Sequence, residues 1–188
     1  MRIIGGKLKG KKIFEPKDKI TRPLKDLAKE SIFNILGHSN KFHINLKDAT
    51  ILDLFAGVGS FGLETLSRGS KKVVFIENYI NVLEILKKNI SNLKLNSKSE
   101  IIKDDIFEND IFKKLNKKFD IIFLDPPFKE KKISFIFSEI KKFNILKKNG
   151  ILIIHRNSKQ MEVFPKSFSI LDEKKYGISK IIFGNFID

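Results

Sequence analysis

Residues 120–128 read Asp-Ile-Ile-Phe-Leu-Asp-Pro-Pro-Phe, so that an apolar run delivers a carboxylate into two prolines and an aromatic ring. Ile121 to Leu124 has the continuous apolar pattern of a strand buried on both faces. Asp125 falls where that strand leaves the sheet. Pro126 biases Asp125 toward an extended backbone, and each proline fixes its own φ and lacks an N–H. The carboxylate of Asp125 and the carbonyl of Pro126 therefore form a stiff cluster of acceptors, and Pro127 carries the chain to Phe128, whose ring offers a flat apolar face. A planar base with an exocyclic amine matches such a place: acceptors for the amine hydrogens and a ring to stack on. An ordinary Asp-Pro turn would also account for these residues taken alone.

A second segment narrows the choice. Residues 50–62 read Thr-Ile-Leu-Asp-Leu-Phe-Ala-Gly-Val-Gly-Ser-Phe-Gly, a strand running into Gly57-x-Gly59-x-x-Gly62 and then a helical pattern. Glycines at this spacing permit a tight turn and close approach of backbone to a ligand. The spacing alone suits a dinucleotide equally well. Asp53, four residues before the first glycine, would repel a pyrophosphate but suits the cationic amino group of S-adenosylmethionine. Glu77 ends the next strand, Val-Val-Phe-Ile-Glu, where an acid can accept both ribose hydroxyls. The three features in this order are far more specific than any one of them.

The elements needed to position these residues can be read from periodicity. Strands are predicted near 50–55, 73–77, 100–104, 119–124 and 150–155, alternating with helices near 60–68, 79–95, 107–117 and 132–146. Leu24, Leu27, Ala28, Ser31, Ile32, Ile35 and Leu36 predict an earlier helix over 24–36, opened by Pro23. Residues 1–20 alternate apolar and basic side chains around Gly5-Gly6 and Gly10, as a short hairpin or extended arm. Two strand-like runs, one from Phe168 and one from Ile178, flank Lys175-Tyr176-Gly177 without a helix and predict an antiparallel hairpin. The expected fold is α/β: a mainly parallel, doubly wound sheet ending in a C-terminal antiparallel hairpin. Asp53, Glu77 and Asp125 all fall at carboxyl ends of strands, where open α/β sheets bind ligands.

The chain has 188 residues, suited to one compact domain with a short extension. Lys and Arg number 37 against 22 Asp and Glu, a formal net charge of +15, which points to a polyanionic partner. Residues 1–30 hold ten basic and four acidic side chains, a net charge of +6 in less than a sixth of the length. Arg2, Lys7, Lys9, Lys11, Lys12 and Arg22 are the candidate phosphate contacts. Cysteine is absent, which excludes disulfides and a thiolate nucleophile. No run of apolar residues has the length of a membrane helix, and a cytoplasmic protein is expected. His38, His43 and His155 lack metal-ligand spacing and are expected to be structural or surface residues, with no metal.

Taken together, the motifs resemble the RsmD-like family of bacterial 16S ribosomal RNA (guanine-N2) methyltransferases. The resemblance runs nearly end to end: Met1 to Lys12, Thr21-Arg22-Pro23, Lys29 to Leu36, Asp53 to Gly57, Gly62-Leu63-Glu64-x-Leu66-Ser67-Arg68-Gly69, Asp125 to Phe128, and Tyr176-Gly177. The N-terminal Arg-Ile-Ile-Gly-Gly with Thr-Arg-Pro is its most specific part. Leu27 and Lys29 stand where family members often carry arginines, and His155-Arg156 where many carry an acid. The resemblance implies a class I, Rossmann-like methyltransferase fold, with a basic N-terminal arm and helix over 1–45 and the methyltransferase domain over 46–188. It implies S-adenosyl-L-methionine held by Asp53, Phe55, Ala56, Gly57, Gly59 and Glu77, with Asp105 and Ile106 beside the adenine. It implies catalysis by Asp125, Pro126, Pro127 and Phe128. The partner would be 16S rRNA or an assembly intermediate of the small subunit, bound by a monomer. A DNA amino-methyltransferase shares Asp-Pro-Pro-Phe, and an oxidoreductase shares the glycine spacing; the N-terminal motifs disfavour the first and Asp53 the second.

Overall fold

In the computed structural model, residues 1–16, 24, 26–108 and 110–187 are described. Thr21-Arg22-Pro23, and with it the expected phosphate contact of Arg22, lies outside the described residues.

Seven strands form one sheet: β1 (Thr50–Leu54), β2 (Lys72–Glu77), β3 (Ser99–Lys103), β4 (Phe119–Leu124), β5 (Leu146–Asn157), β6 (Phe168–Tyr176) and β7 (Ser179–Phe186). Their order is β3-β2-β1-β4-β5-β7-β6. The first five pair in parallel, while β7 runs antiparallel to both β5 and β6. This is the expected parallel sheet with its terminal hairpin. The chain order reverses direction between β1 and β4, so the ends of those two strands frame the crevice where such sheets bind ligands.

Alternation of side chains divides the apolar residues between two cores. Ile51, Val73, Phe75, Ile121 and Phe123 face one side, and Leu52, Val74, Ile76, Ile122 and Leu124 face the other. Both faces are covered, which is why the strands read as unbroken apolar runs. On the first face lie α1 (Asp26–His38), α2 (Ser60–Ser67) and α3 (Ile80–Asn92); α4 (Ile111–Lys114) and α5 (Ile133–Lys142) cover the second. Phe33, Phe61 and Phe123 stack in series with centroid separations of 5.5 and 4.0 Å, joining α1 through α2 to β4.

Several helix boundaries differ from the periodicity. The helix expected over 107–117 contracts to the single turn of α4. Asp105 turns the chain by accepting the Phe107 N–H, and Asp110 takes a left-handed φ of 51° just before the turn. The helices expected to reach residues 95 and 146 stop at 92 and 142. Lys94 and Asn144 adopt left-handed φ values of 57° and 51°, and the amides of Leu95 and Ile145 bond back to the carbonyls of Ile90 and Ile140. These are Schellman closures without the customary glycine. In α1 the buried face is also rotated from the expected one. Leu27 is 63% exposed, while Lys29 and Phe33 are buried.

The N-terminal segment is a hairpin docked on α2. Arg2 and Lys12 form an antiparallel bridge around a 3-10 turn at Gly6–Leu8. Glu64, fully buried, accepts the Ile4 N–H at 2.8 Å and the Arg68 Nε–H at 3.0 Å. Ser67 Oγ accepts the Leu8 N–H and donates to the Gly5 carbonyl. A Cβ on Gly6, whose φ is +72°, would lie 2.0 Å from the Ser67 carbonyl oxygen, so glycine is required there. At the far end of the segment, buried Asn89 of α3 bonds both backbone groups of Phe14 and donates to the Val58 carbonyl at 3.1 Å. The hairpin is thereby tied to the glycine loop.

Candidate active site

A cleft of about 480 Å³ opens over the ends of β1, β2 and β4. That volume lies within the range of small-molecule sites, roughly 300–1,000 Å³. Asp53, Phe55, Ala56 and Gly57 line it from β1 and the loop that follows; Glu77 lines it from β2 and Asp125 to Phe128 from the end of β4. Residues more than seventy positions apart in sequence thus meet because parallel strands end at one edge of the sheet.

The loop after β1 is bent by Phe55, a non-glycine residue with φ of 59°, and by Gly57 and Gly59 at 56° and 82°. Positive φ at a phenylalanine costs on the order of 1–3 kcal/mol and marks a backbone held in place by its surroundings. Here the surroundings are carboxylates. Glu77 Oε2 accepts the Gly57 N–H at 2.7 Å, and its Oε1 accepts the amides of Asn78 and Tyr79 at 2.9 Å each. Asp53 Oδ2 accepts the Gly62 N–H at 3.0 Å, in the first turn of α2. Gly62 itself packs close to β2, since a Cβ there would lie 2.3 Å from the Phe75 ring.

Asp53 is almost fully buried. Burial pushes its carboxyl well above the ordinary aspartate value of 3.8; the Gly62 hydrogen bond opposes this, and the negative charges of Asp125 and Glu77 add to it. The cleft lining sets three acids, Asp53, Glu77 and Asp125, against one basic residue, Lys129. Among the described residues no three acids converge to hold a metal ion. An extended organic cation fits this arrangement. A pyrophosphate is disfavoured by the three acids of the lining, and the Gly57 amide already donates to Glu77. S-adenosylmethionine, with a sulfonium and an ammonium on a nucleoside frame, matches both charge and size.

The Asp-Pro-Pro-Phe turn is held from β5. Leu124 pairs with Ile154, so Asp125 and His155 are next in line at the same end of adjacent strands. His155 Nδ1 lies 2.8 Å from Asp125 Oδ1, and its ring meets Phe128 edge-on at 6.0 Å. Of the structural or surface places expected for His155, the structure gives the buried one, against Asp125 and Phe128. Arg156, 1% exposed, bonds the Pro127 carbonyl at 3.0 Å, the Glu130 carbonyl at 2.7 Å and the Glu162 carboxylate at 2.6 Å. Gln160 donates to the Phe128 carbonyl. The signal for His155 was present, since it directly follows the apolar run Ile151 to Ile154 within β5. That β5 lies beside β4 is a property of the sheet and not of the local sequence.

Other expected site residues fall outside the lining. Gly59 supports the loop from behind, where a Cβ would strike Leu86 at 2.5 Å. Asp105 and Ile106 follow β3 away from the cleft wall; Asp105 reaches it through the Asn78 side chain, at 2.9 Å. Leu24, Phe61, Asn78 and Tyr79 line the cleft and were not singled out by their types. Tyr176 bonds Ser31 and ties the terminal hairpin to α1, away from the cleft. Arg2, Lys7, Lys9, Lys11 and Lys12 are exposed on the N-terminal hairpin.

Sheet order, the acid-lined cleft and the Asp-Pro-Pro-Phe turn define a class I methyltransferase that uses S-adenosylmethionine. The family described as Conserved hypothetical protein 95 matches residues 1–185. Ribosomal RNA small subunit methyltransferase D of Haemophilus influenzae is 34% identical over 181 residues, 95% of this chain and 90% of that protein. Its Escherichia coli namesake is 32% identical over 152 residues, 81% of this chain and 69% of that one. A solved Escherichia coli structure titled "putative methyltransferase" superposes with a TM-score of 0.81 at 26% identity, covering 99% of this chain and 97% of that one. The chain belongs to this RsmD-like family, as its motifs implied.

Proposed function

We propose that the protein methylates the exocyclic N2 amine of a guanine in 16S ribosomal RNA. That it is an S-adenosylmethionine-dependent ribosomal RNA methyltransferase rests on its family and on relatives named for that activity. The guanine N2 amine and the small-subunit target are the finer reading, and one observation carries the amine: Asp125, Pro126 and Phe128 face the same cleft as Asp53 and Glu77.

Bound here, S-adenosylmethionine would supply an electrophilic methyl group: the amine lone pair would form the new N–C bond, the C–S electrons would stay on sulfur, and the proton the nitrogen then sheds would pass to the Asp125 carboxylate. The residues present would divide the remaining work. Asp53 favours the positive charge of the cofactor, and Glu77 accepts from its ribose while holding the Gly57 amide. Asp125 and the Pro126 carbonyl accept the two amine hydrogens, so that the lone pair points at the methyl as the nitrogen pyramidalises. The contribution is orientation and stabilisation of developing positive charge. Phe128 stacks on the base, a contact of about 1–3 kcal/mol. A guanine paired within a helix must first be turned out to reach this turn. The exposed lysines of the hairpin hold the phosphates. We take the partner to be 16S rRNA or an assembly intermediate of the small subunit, bound by a monomer.

Single-turnover methylation with labelled cofactor tests the assignment. Asp125→Ala should bind cofactor as the wild type does and transfer methyl about a hundredfold more slowly or worse. A wild-type rate in that variant would remove Asp125 from the reaction.

A further inference from the structure

We infer that His155 is a positioning residue for this reaction: it fixes the carboxylate plane of Asp125 and the ring of Phe128 together. The inference rests on the assignment of Asp125 as the acceptor for the amine. His155 directly follows the apolar run of β5, and its ring is almost fully buried between the two groups. Nδ1 lies 2.8 Å from Asp125 Oδ1, a hydrogen-bond distance. With Asp125 ionised, Nδ1 carries the hydrogen and donates it. The ring edge meets Phe128 at 67°, the T-shaped arrangement favoured by aromatic pairs.

The division of labour with its neighbour gives this contact its meaning. Arg156 and Gln160 grip three carbonyls of the turn, those of Pro127, Phe128 and Glu130. The backbone of the turn is thus fixed independently of His155. What the backbone leaves undetermined is the χ rotation of the Asp125 carboxylate, and the His155 contact to Oδ1 bears on it directly. An acceptor rotated away by even a fraction of an ångström loses alignment with the N–H bond, and misplacement on that scale is costly in rate.

Asparagine and glutamine separate positioning from space filling. The Asn side-chain nitrogen can occupy the place of Nδ1, whereas the Gln nitrogen extends toward the place of Nε2. In full-length protein with saturating cofactor and 16S rRNA, His155→Asn should keep kcat within about threefold of wild type. His155→Gln and His155→Leu should lose about ten- to a hundredfold in kcat, with KM for RNA and cofactor affinity unchanged. A second measurement needs no turnover. The His155 Nδ1 proton should give a downfield, hydrogen-bonded NMR signal in the protein alone, lost in Asp125→Ala. Wild-type kcat in His155→Gln, or equal losses in the Asn and Gln variants with cofactor affinity intact, would overturn the inference. Should His155→Leu fail to fold, the Asn and Gln pair decides. If instead the wild type leaves guanine N2 unmethylated while the NMR signal behaves as expected, the proposed function fails and the contact stands.

Discussion

At the scale of single residues, the acids of the cleft set its chemistry and its dependence on pH. Asp53 has the clearest consequence. Its carboxyl is raised in the folded protein above the ordinary value of 3.8. A group raised in this way contributes stability that is fully present below its unfolded pKa and is lost as pH rises through its folded one. As pH rises above the ordinary aspartate value, Asp53 therefore costs stability in the absence of a cation. Asp53→Asn cannot ionise, yet its amide oxygen can still accept the Gly62 N–H. In calorimetric scans Asp53→Asn should unfold at a higher temperature than wild type near neutral pH, and the gap should close as pH falls toward about 4. Its affinity for S-adenosylmethionine should be lower and should lose the rise with pH that proton release gives the wild type. Parallel pH profiles for the two proteins would show that the charge of Asp53 plays no such part. Asp53, Glu77 and Asp125 could be read from the sequence because each falls near the carboxyl end of an apolar strand. His155 does too. It was missed because its meaning comes from Asp125, thirty residues away on a neighbouring strand.

At the scale of elements, the strands were legible and the ends of the helices were not. Buried strands announce themselves by unbroken runs such as Ile121 to Leu124, whereas α3 and α5 are closed by left-handed Lys94 and Asn144, two residues past their last helical positions, and a lysine gives no sign of such a closure. The rotated face of α1 has a tertiary cause. Lys29 is buried because its Nζ donates to the Arg2 carbonyl at 2.7 Å and pairs with Asp26 at 3.2 Å, and neither contact can be read from helical spacing. The Gly5-Gly6 and Glu64-x-x-Ser67-Arg68 motifs look independent in sequence. In space they are two halves of one joint, glycines admitting the backbone and Glu64 and Ser67 bonding it. The hairpin is thus a fixed platform whose lysines project from a braced backbone.

At the scale of the whole molecule, the net charge of +15 identified a polyanion as partner and could not say which. If the hairpin grips phosphates, RNA affinity should fall steeply with salt. Replacing Lys9, Lys11 and Lys12 with Ala should flatten the log–log slope by about two units, measured as RNA binding across a salt series. Cofactor affinity should hold, because Asn89 links the hairpin to the glycine loop through the Phe14 backbone and not through these lysines. Equal slopes would make them solvated surface charges and move the RNA footprint elsewhere. The central claim concerns one nucleotide in a whole ribosome, and mapping methylated nucleotides in ribosomal RNA tests it most directly. Cells lacking this protein, and cells carrying only Asp125→Ala, should both lack one N2-methylguanosine in 16S rRNA that cells with the wild type possess. An unchanged set of N2-methylguanosines in 16S rRNA, or loss of a methyl from another base or another RNA, would contradict it.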